Sequence, residues 1–73
     1  MRVFYAYQRP RGFINEVNVH GFEGRKYRDA WVAEHKDDGD VNSASLGAKA
    51  CTAKMAKGLL AERDSYNQYV FHG

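Results

Sequence analysis

Two alternating segments separated by a turn constrain this chain more than any other feature of its sequence. From Arg2 to Gln8, Val3, Tyr5 and Tyr7 fall on one side, and Phe4 and Ala6 on the other. Apolar side chains on both sides, with Phe4, Tyr5 and Tyr7 close together, predict a strand. Arg9-Pro10-Arg11-Gly12 ends it. Proline fixes φ and has no N–H to donate, and glycine accepts backbone angles that other residues avoid. Phe13 to His20 then alternates again, with Phe13, Asn15, Val17 and Val19 opposed to Ile14, Glu16, Asn18 and His20. The spacing predicts a hairpin closed by the Arg-Pro-Arg-Gly turn.

The next punctuation is Gly21-Phe22-Glu23-Gly24. Beyond it, residues 26–35 fit two periods. Tyr27, Ala30, Trp31 and Glu34 make a helical stripe; Tyr27, Asp29, Trp31, Ala33 and His35 make one face of a strand. A short segment ending in the turn-rich Asp37-Asp38-Gly39-Asp40 favours the strand, which would complete a meander. Asp40, Asn42, Ser43 and Ser45 offer N-caps, and a helix is expected from about Ala44 to Arg63. Ala48, Cys51, Met55, Leu59 and Glu62 line one stripe of it, with Ala44 and Thr52 at the border and Lys49, Lys54 and Lys57 opposite. Gly47 and Gly58 each cost a helix about 1 kcal/mol relative to alanine, which suggests close approach or bending. Tyr66 to His72 reads as a last strand. The expected fold is α+β: a small antiparallel sheet in β-β-β-α-β order with one helix packed on one face, in one domain over residues 1–73.

Length limits function as firmly as it limits the fold. A chain of 73 residues supports one core, and a pocket of ~300 Å³ would hollow out much of it. Large-cleft enzymes, dinucleotide folds and barrels are excluded. The sole cysteine, Cys51, has no partner for an internal disulfide, which argues against a disulfide-stapled secreted scaffold and for a reducing compartment. No stretch approaches the ~18 apolar residues of a membrane span, and Met1 to Tyr5 lacks the apolar run of a signal peptide. A soluble intracellular protein is expected.

The net charge of +2 conceals an ordered distribution. Residues 1–28 carry Arg2, Arg9, Arg11, Arg25, Lys26 and Arg28 against Glu16 and Glu23. Residues 29–42 carry Asp29, Glu34, Asp37, Asp38 and Asp40 against Lys36 alone. Residues 43–73 turn basic again through Lys49, Lys54, Lys57 and Arg63 against Glu62 and Asp64. A protein that coats DNA does not usually carry an acidic block in its middle, because affinity scales with the phosphates neutralised. A protein partner of mixed potential fits better.

Individual constellations are weak. His20, His35, His72 and Cys51 could total four metal ligands, but none stands at the close spacing of metal motifs. Cys51, on the expected helix stripe, reads as a small core hydrophobe. Asp37-Asp38-Gly39-Asp40 suggests calcium only superficially, since the twelfth residue of such a loop is Ala48 instead of a glutamate. No nucleophile motif or phosphate loop is present, so no enzymatic activity and no cofactor are expected. Arg11-Gly12-Phe13 opens like the RNA-recognition sheet motif, then departs from it at Ile14 and Asn15. Gly24-Arg25-Lys26-Tyr27-Arg28 interleaves charge with a ring, as stacking surfaces do. The candidate partner-binding residues are Arg9, Arg11, Arg25, Lys26 and Arg28, all at turns, where side chains project and loops bind.

Met1-Arg2-Val3-Phe4-Tyr5-Ala6-Tyr7 followed by Arg9-Pro10-Arg11-Gly12, in a chain of this length, resembles the small early transcription regulators of lytic Xanthomonas phages, which inhibit host RNA polymerase and cause antitermination. The resemblance implies a binder of bacterial RNA polymerase at the N-terminal part of β′, near the RNA exit channel and the β flap. It would weaken σ engagement and, with NusA, suppress termination in the cytoplasm of the host bacterial cell. It carries over no residue position by position. A monomer with no membrane contact and at most indirect nucleic-acid contact is expected. A small RNA- or DNA-binding module and an anti-defence inhibitor of a nuclease complex are the alternatives.

Overall fold

The computed structural model describes residues 2–9, 16–36 and 46–73. The elements run β1 (Phe4–Arg9), β2 (Glu16–Phe22), α1 (Arg25–His35), β3 (Leu46–Cys51), α2 (Ala53–Leu60) and β4 (Tyr66–Phe71). The fold is α+β, with a four-stranded mixed sheet in the order β3-β1-β2-β4. β1 and β2 pair antiparallel, as expected, but with Phe4 opposite Phe22, Tyr7 opposite Val19 and Gln8 opposite Asn18, a register with more chain between the strands than the four-residue turn expected at residues 9–12. The Arg-Pro-Arg-Gly turn itself, residues 9–12, lies outside the described residues beyond Arg9. No helix among the described residues is long and apolar enough to cross a membrane.

The expected element order needs correction at two places. Residues 26–35 form helix α1 and not a third strand. The side turned inward carries Arg28, Trp31, Val32 and His35, the partly sheltered positions of the helix. That stripe has proper helical spacing, but half of it is polar, so a count of apolar residues misses it. The single helix expected over 44–63 is in fact β3 followed by α2. The Ala-rich run Leu46–Cys51 pairs antiparallel with β1, Tyr5 opposite Cys51 and Ala6 opposite Ala50. Sheet pairing overrides the helix propensity of alanine there. The working N-cap is Thr52, whose hydroxyl accepts a hydrogen bond from the Met55 amide at 3.2 Å. The expected caps at residues 40–45 lie outside the described residues.

These two changes also make the sheet mixed where an antiparallel one was expected. β4 runs parallel to β2, and β3, antiparallel to β1, runs the same way. The connections β2-α1-β3 and β3-α2-β4 are therefore both crossovers, travelling in opposite directions across the sheet. Crossovers of one hand that travel in opposite directions put their helices on opposite faces. Side chains agree. Ala56 and Leu59 of α2 join Val17, Val19 and Cys51 in the core, with Tyr5, Tyr7 and Leu60 packed against it. Trp31 of α1 meets His20 and Phe22, whose side chains alternate to the other face. Val17 and Val19 are fully buried, each worth about 1.5–3 kcal/mol of apolar transfer.

Candidate functional site

Positive charge collects where β1 begins. The guanidinium carbons of Arg2, Arg25 and Arg28 lie 5.1, 5.5 and 5.8 Å from the centre of the Phe4 ring. Three separate features of the chain bring them there. Arg2 precedes the strand. Arg25 and Arg28 are three residues apart on α1 and so share a side of the helix. Phe4 opposite Phe22 puts the start of β1 beside the end of β2, from which the chain runs directly into α1 at Arg25. An open groove of about 630 Å³ runs between them, with Cys51, Thr52 and Ala53 on its far wall. It lies on the surface, so the small core is not hollowed to make it.

The electrostatics of this groove are poor for stability and well suited to an anion. A helix N-terminus carries roughly half a positive charge, and a cation placed there costs about 0.3–1 kcal/mol. The first turn of α1 has no acidic residue, its N-cap Gly24 makes no side-chain hydrogen bond, and Arg25, Lys26 and Arg28 all sit near this end. The start of α2 also lines the groove through Thr52 and Ala53. Arg28 is held in place: its Nε donates to Asp29 Oδ1 at 2.7 Å and its Nη1 to the Tyr5 carbonyl at 3.4 Å, with 15% of the side chain exposed. Arg2 and Arg25 are exposed and have no carboxylate partner among the described residues. The Phe4 ring offsets part of the repulsion, as cations near an aromatic face are attracted to it.

Of the residues singled out from sequence, Arg25 and Arg28 enter this groove. Lys26, one position along the helix, lies by Tyr27, with its Nζ 6.0 Å from that ring's centre. Arg9 stands at the other end of β1, where its Nη2 donates to Glu62 Oε1 at 2.7 Å. That hydrogen bond is the main reason the Glu62 carboxyl is held below its usual range, with desolvation opposing and Ser65 assisting. Arg9 thus ties the end of β1 to the residues after α2. Arg11 lies outside the described residues. Arg2 was missed from sequence, because its approach to Arg25 and Arg28 depends on the observed strand register and on α1, neither of which the sequence reading contained.

Cys51 is buried, as expected, but on β3 and not on a helix. Burial pushes its thiol pKa up and the nearby Arg28 charge offsets part of this, so it is a protonated thiol near neutral pH. It faces the α2 side of the sheet, away from the histidines. On the α1 side, His20 Nδ1 and His72 Nε2 stand 2.8 Å apart. Trp31 lies between His20, at 4.3 Å, and His35, at 4.7 Å between ring centres. Phe22 stacks on His72 at 4.5 Å. Desolvation first, then the charges of His72 and His35, lower the His20 pKa to about 4. Among the described residues no group of three or more His, Cys, Asp or Glu is placed to hold a metal.

Compared with known proteins, the chain matches no protein-family model, no curated protein and no solved structure.

Proposed function

We propose that this chain is a non-enzymatic regulator that binds an acidic segment of a macromolecular machine through the Arg2–Arg25–Arg28 groove. The supporting observation is three guanidiniums within 6 Å of one ring centre, two of them without a carboxylate partner among the described residues. Three like charges and two helix N-termini in one place need an anion from outside to neutralise them. A carboxylate-bearing protein segment suits the site better than a nucleic-acid backbone. Asp29 sits at the rim on Arg28, so a track of phosphates would meet repulsion there.

From the resemblance at the N-terminus we infer bacterial RNA polymerase as the machine, bound at β′ near the β flap, with σ weakened during initiation and NusA involved in antitermination. A standard interface buries ~800 Å² per partner, enough for a body this small to touch two subunits. A preference of about 1.4 kcal/mol for the σ-free state shifts that equilibrium tenfold.

The test is the double charge reversal Arg2→Glu with Arg25→Glu, which leaves Arg28 and its ties to Tyr5 and Asp29 in place. Binding to the isolated β′ fragment, to nuclease-treated polymerase and to single-stranded RNA would be titrated after the far-UV spectrum shows an unchanged fold. The expected result is a loss of polymerase binding by about 30-fold or more, the scale of a hot spot worth ~2 kcal/mol. Parent protein that ignores polymerase but binds RNA with a steep salt dependence would install the nucleic-acid reading instead.

A further inference from the structure

The outer edge of β4 points to a second, separate surface. β4 lies at the end of the sheet and pairs with β2 alone. The His72 amide donates to the Gly21 carbonyl at 2.8 Å, which fixes the alternation along the strand. Backbone groups of Gln68 and Val70 turn toward β2, and those of Asn67, Tyr69 and Phe71 turn outward, unpaired among the described residues. Natural edges of this kind are normally guarded by a lysine, a proline, a bulge or a covering element. The β3 edge has such a guard in Lys49, which is exposed. β4 has none: Tyr66-Asn67-Gln68-Tyr69-Val70-Phe71 carries no charge, proline or glycine.

The exposed apolar surface is concentrated on the same strand. Tyr66, Tyr69, Val70 and Phe71 are 56%, 45%, 44% and 45% exposed, four of the six exposed large hydrophobics among the described residues. They occupy both faces of the strand, Tyr69 and Phe71 on the α2 side and Tyr66 and Val70 on the α1 side. A partner that buries only one face of the sheet would leave half of them wet. A strand added at the edge covers both.

We propose that the occupant is a second copy of this chain, with β4 pairing antiparallel to β4 of the other copy about a two-fold axis at Tyr69. The outward groups support this register without adjustment. Tyr69 meets its own symmetry mate, and Asn67 meets Phe71 of the other copy, so all three outward residues form hydrogen-bonded pairs. The intervening pairs are Gln68 with Val70 and Tyr66 with His72, each occurring twice. No like charges stand opposite one another, which is the condition a self-pairing strand must meet. Lys57 borders the Tyr69 groove on α2, and its flexible stem lets the ammonium turn to solvent. The product is a continuous sheet of eight strands, twice the four of one copy. This surface shares no residue with the arginine groove, so the two proposals stand or fall separately.

Sedimentation velocity of the full chain over a wide concentration range, with amide hydrogen exchange alongside, tests the pairing. The expected result is a dimer, with the amides of Asn67, Tyr69 and Phe71 gaining protection as concentration rises and that of Lys49 unchanged. The pair Gln68→Lys with Val70→Lys puts like charges opposite each other twice and should give a monomer. Mixing it with the pair Gln68→Glu and Val70→Glu should restore a heterodimer, which also shows that both variants fold. A parent that stays monomeric throughout, a dimer that the lysine pair leaves intact, or outward β4 amides whose exchange ignores concentration would each overturn the proposal.

Discussion

Acid should loosen the α1 side of the sheet before it touches the rest of the molecule. The perturbation is protonation of His20. Its ring is part-buried between Trp31 and His72, with His72 Nε2 at 2.8 Å from its Nδ1. That contact holds a single proton, donated by one ring and accepted by the other. A second proton would set two N–H groups against each other beside His35. The His20 pKa falls from 6.5 to about 4, so the folded protein binds fewer protons than the unfolded chain between those values. Stability is therefore full above the unfolded pKa and is lost as pH falls through the folded one. The whole interval corresponds to ~3 kcal/mol. The ring is only part-buried, so screening reduces the expected loss to about 1–2 kcal/mol.

Urea unfolding followed by the fluorescence of Trp31, the one tryptophan in the chain, reads this directly. The comparison is with His20→Phe, which keeps a ring in the stack and removes the titration. Between pH ~7.5 and ~4.5 the parent should lose about 1–2 kcal/mol more than the variant. Carboxylates titrating in the same interval are common to both proteins and cancel. Equal losses, or an NMR titration of His20 with its midpoint near the ordinary value, would refute the reasoning.

Three smaller predictions follow from single positions. Gly47→Ala would drive its Cβ into the backbone carbonyl of Lys36, which cannot swing aside, so thermal or urea unfolding should show a loss of about 3 kcal/mol. Gly58→Ala meets nothing within 4 Å and should raise stability by about 0.5–1 kcal/mol through helix propensity alone. Asp29→Asn keeps an acceptor for Arg28 but removes the one charge held against it among the described residues; binding of a glutamate-rich peptide to the groove, read by calorimetry, should tighten a few-fold, on the scale of ~0.5–1 kcal/mol for a charge in high dielectric.

What could be read from sequence was decided by how apolar each segment was. β1, β2 and β4 were legible because Tyr5, Tyr7, Val17, Val19 and the Tyr66–Phe71 run have the aromatic and β-branched character of strands. α1 was not, because its inward stripe of Arg28, Trp31, Val32 and His35 is half polar, and the apolar residues that remain fit either period. β3 was misread for the opposite reason. Ala48 and Ala50 have a helix-favouring propensity, and it is pairing with β1 that makes them a strand. Gly47 and Gly58 looked alike in sequence. One meets the Lys36 backbone and the other faces open space, a distinction that exists only once α1 has folded back on β3.

The candidate site was half legible for a related reason. Arg25 and Arg28 could be chosen as charges at a turn, but a turn does not say which of its charges converge. Convergence needs the helix, which separates Arg25 and Arg28 from Lys26 by rotation, and the observed pairing of Phe4 with Phe22, which sets the start of β1 beside α1. With both in place, the local chemistry conflicts with local stability. Cations crowd a helix start that prefers carboxylates, while the carboxylates of residues 29–42 come only afterwards along the chain. Arg9 and Glu62 show that an exposed arginine in this fold readily takes an acidic partner. Arg2 and Arg25 take none among the described residues. When local preference and global fold disagree at one place and agree at most others, that place is where binding is expected. The groove at Phe4 meets this criterion, and charge reversal of Arg2 and Arg25 should then make α1 more stable as it removes binding.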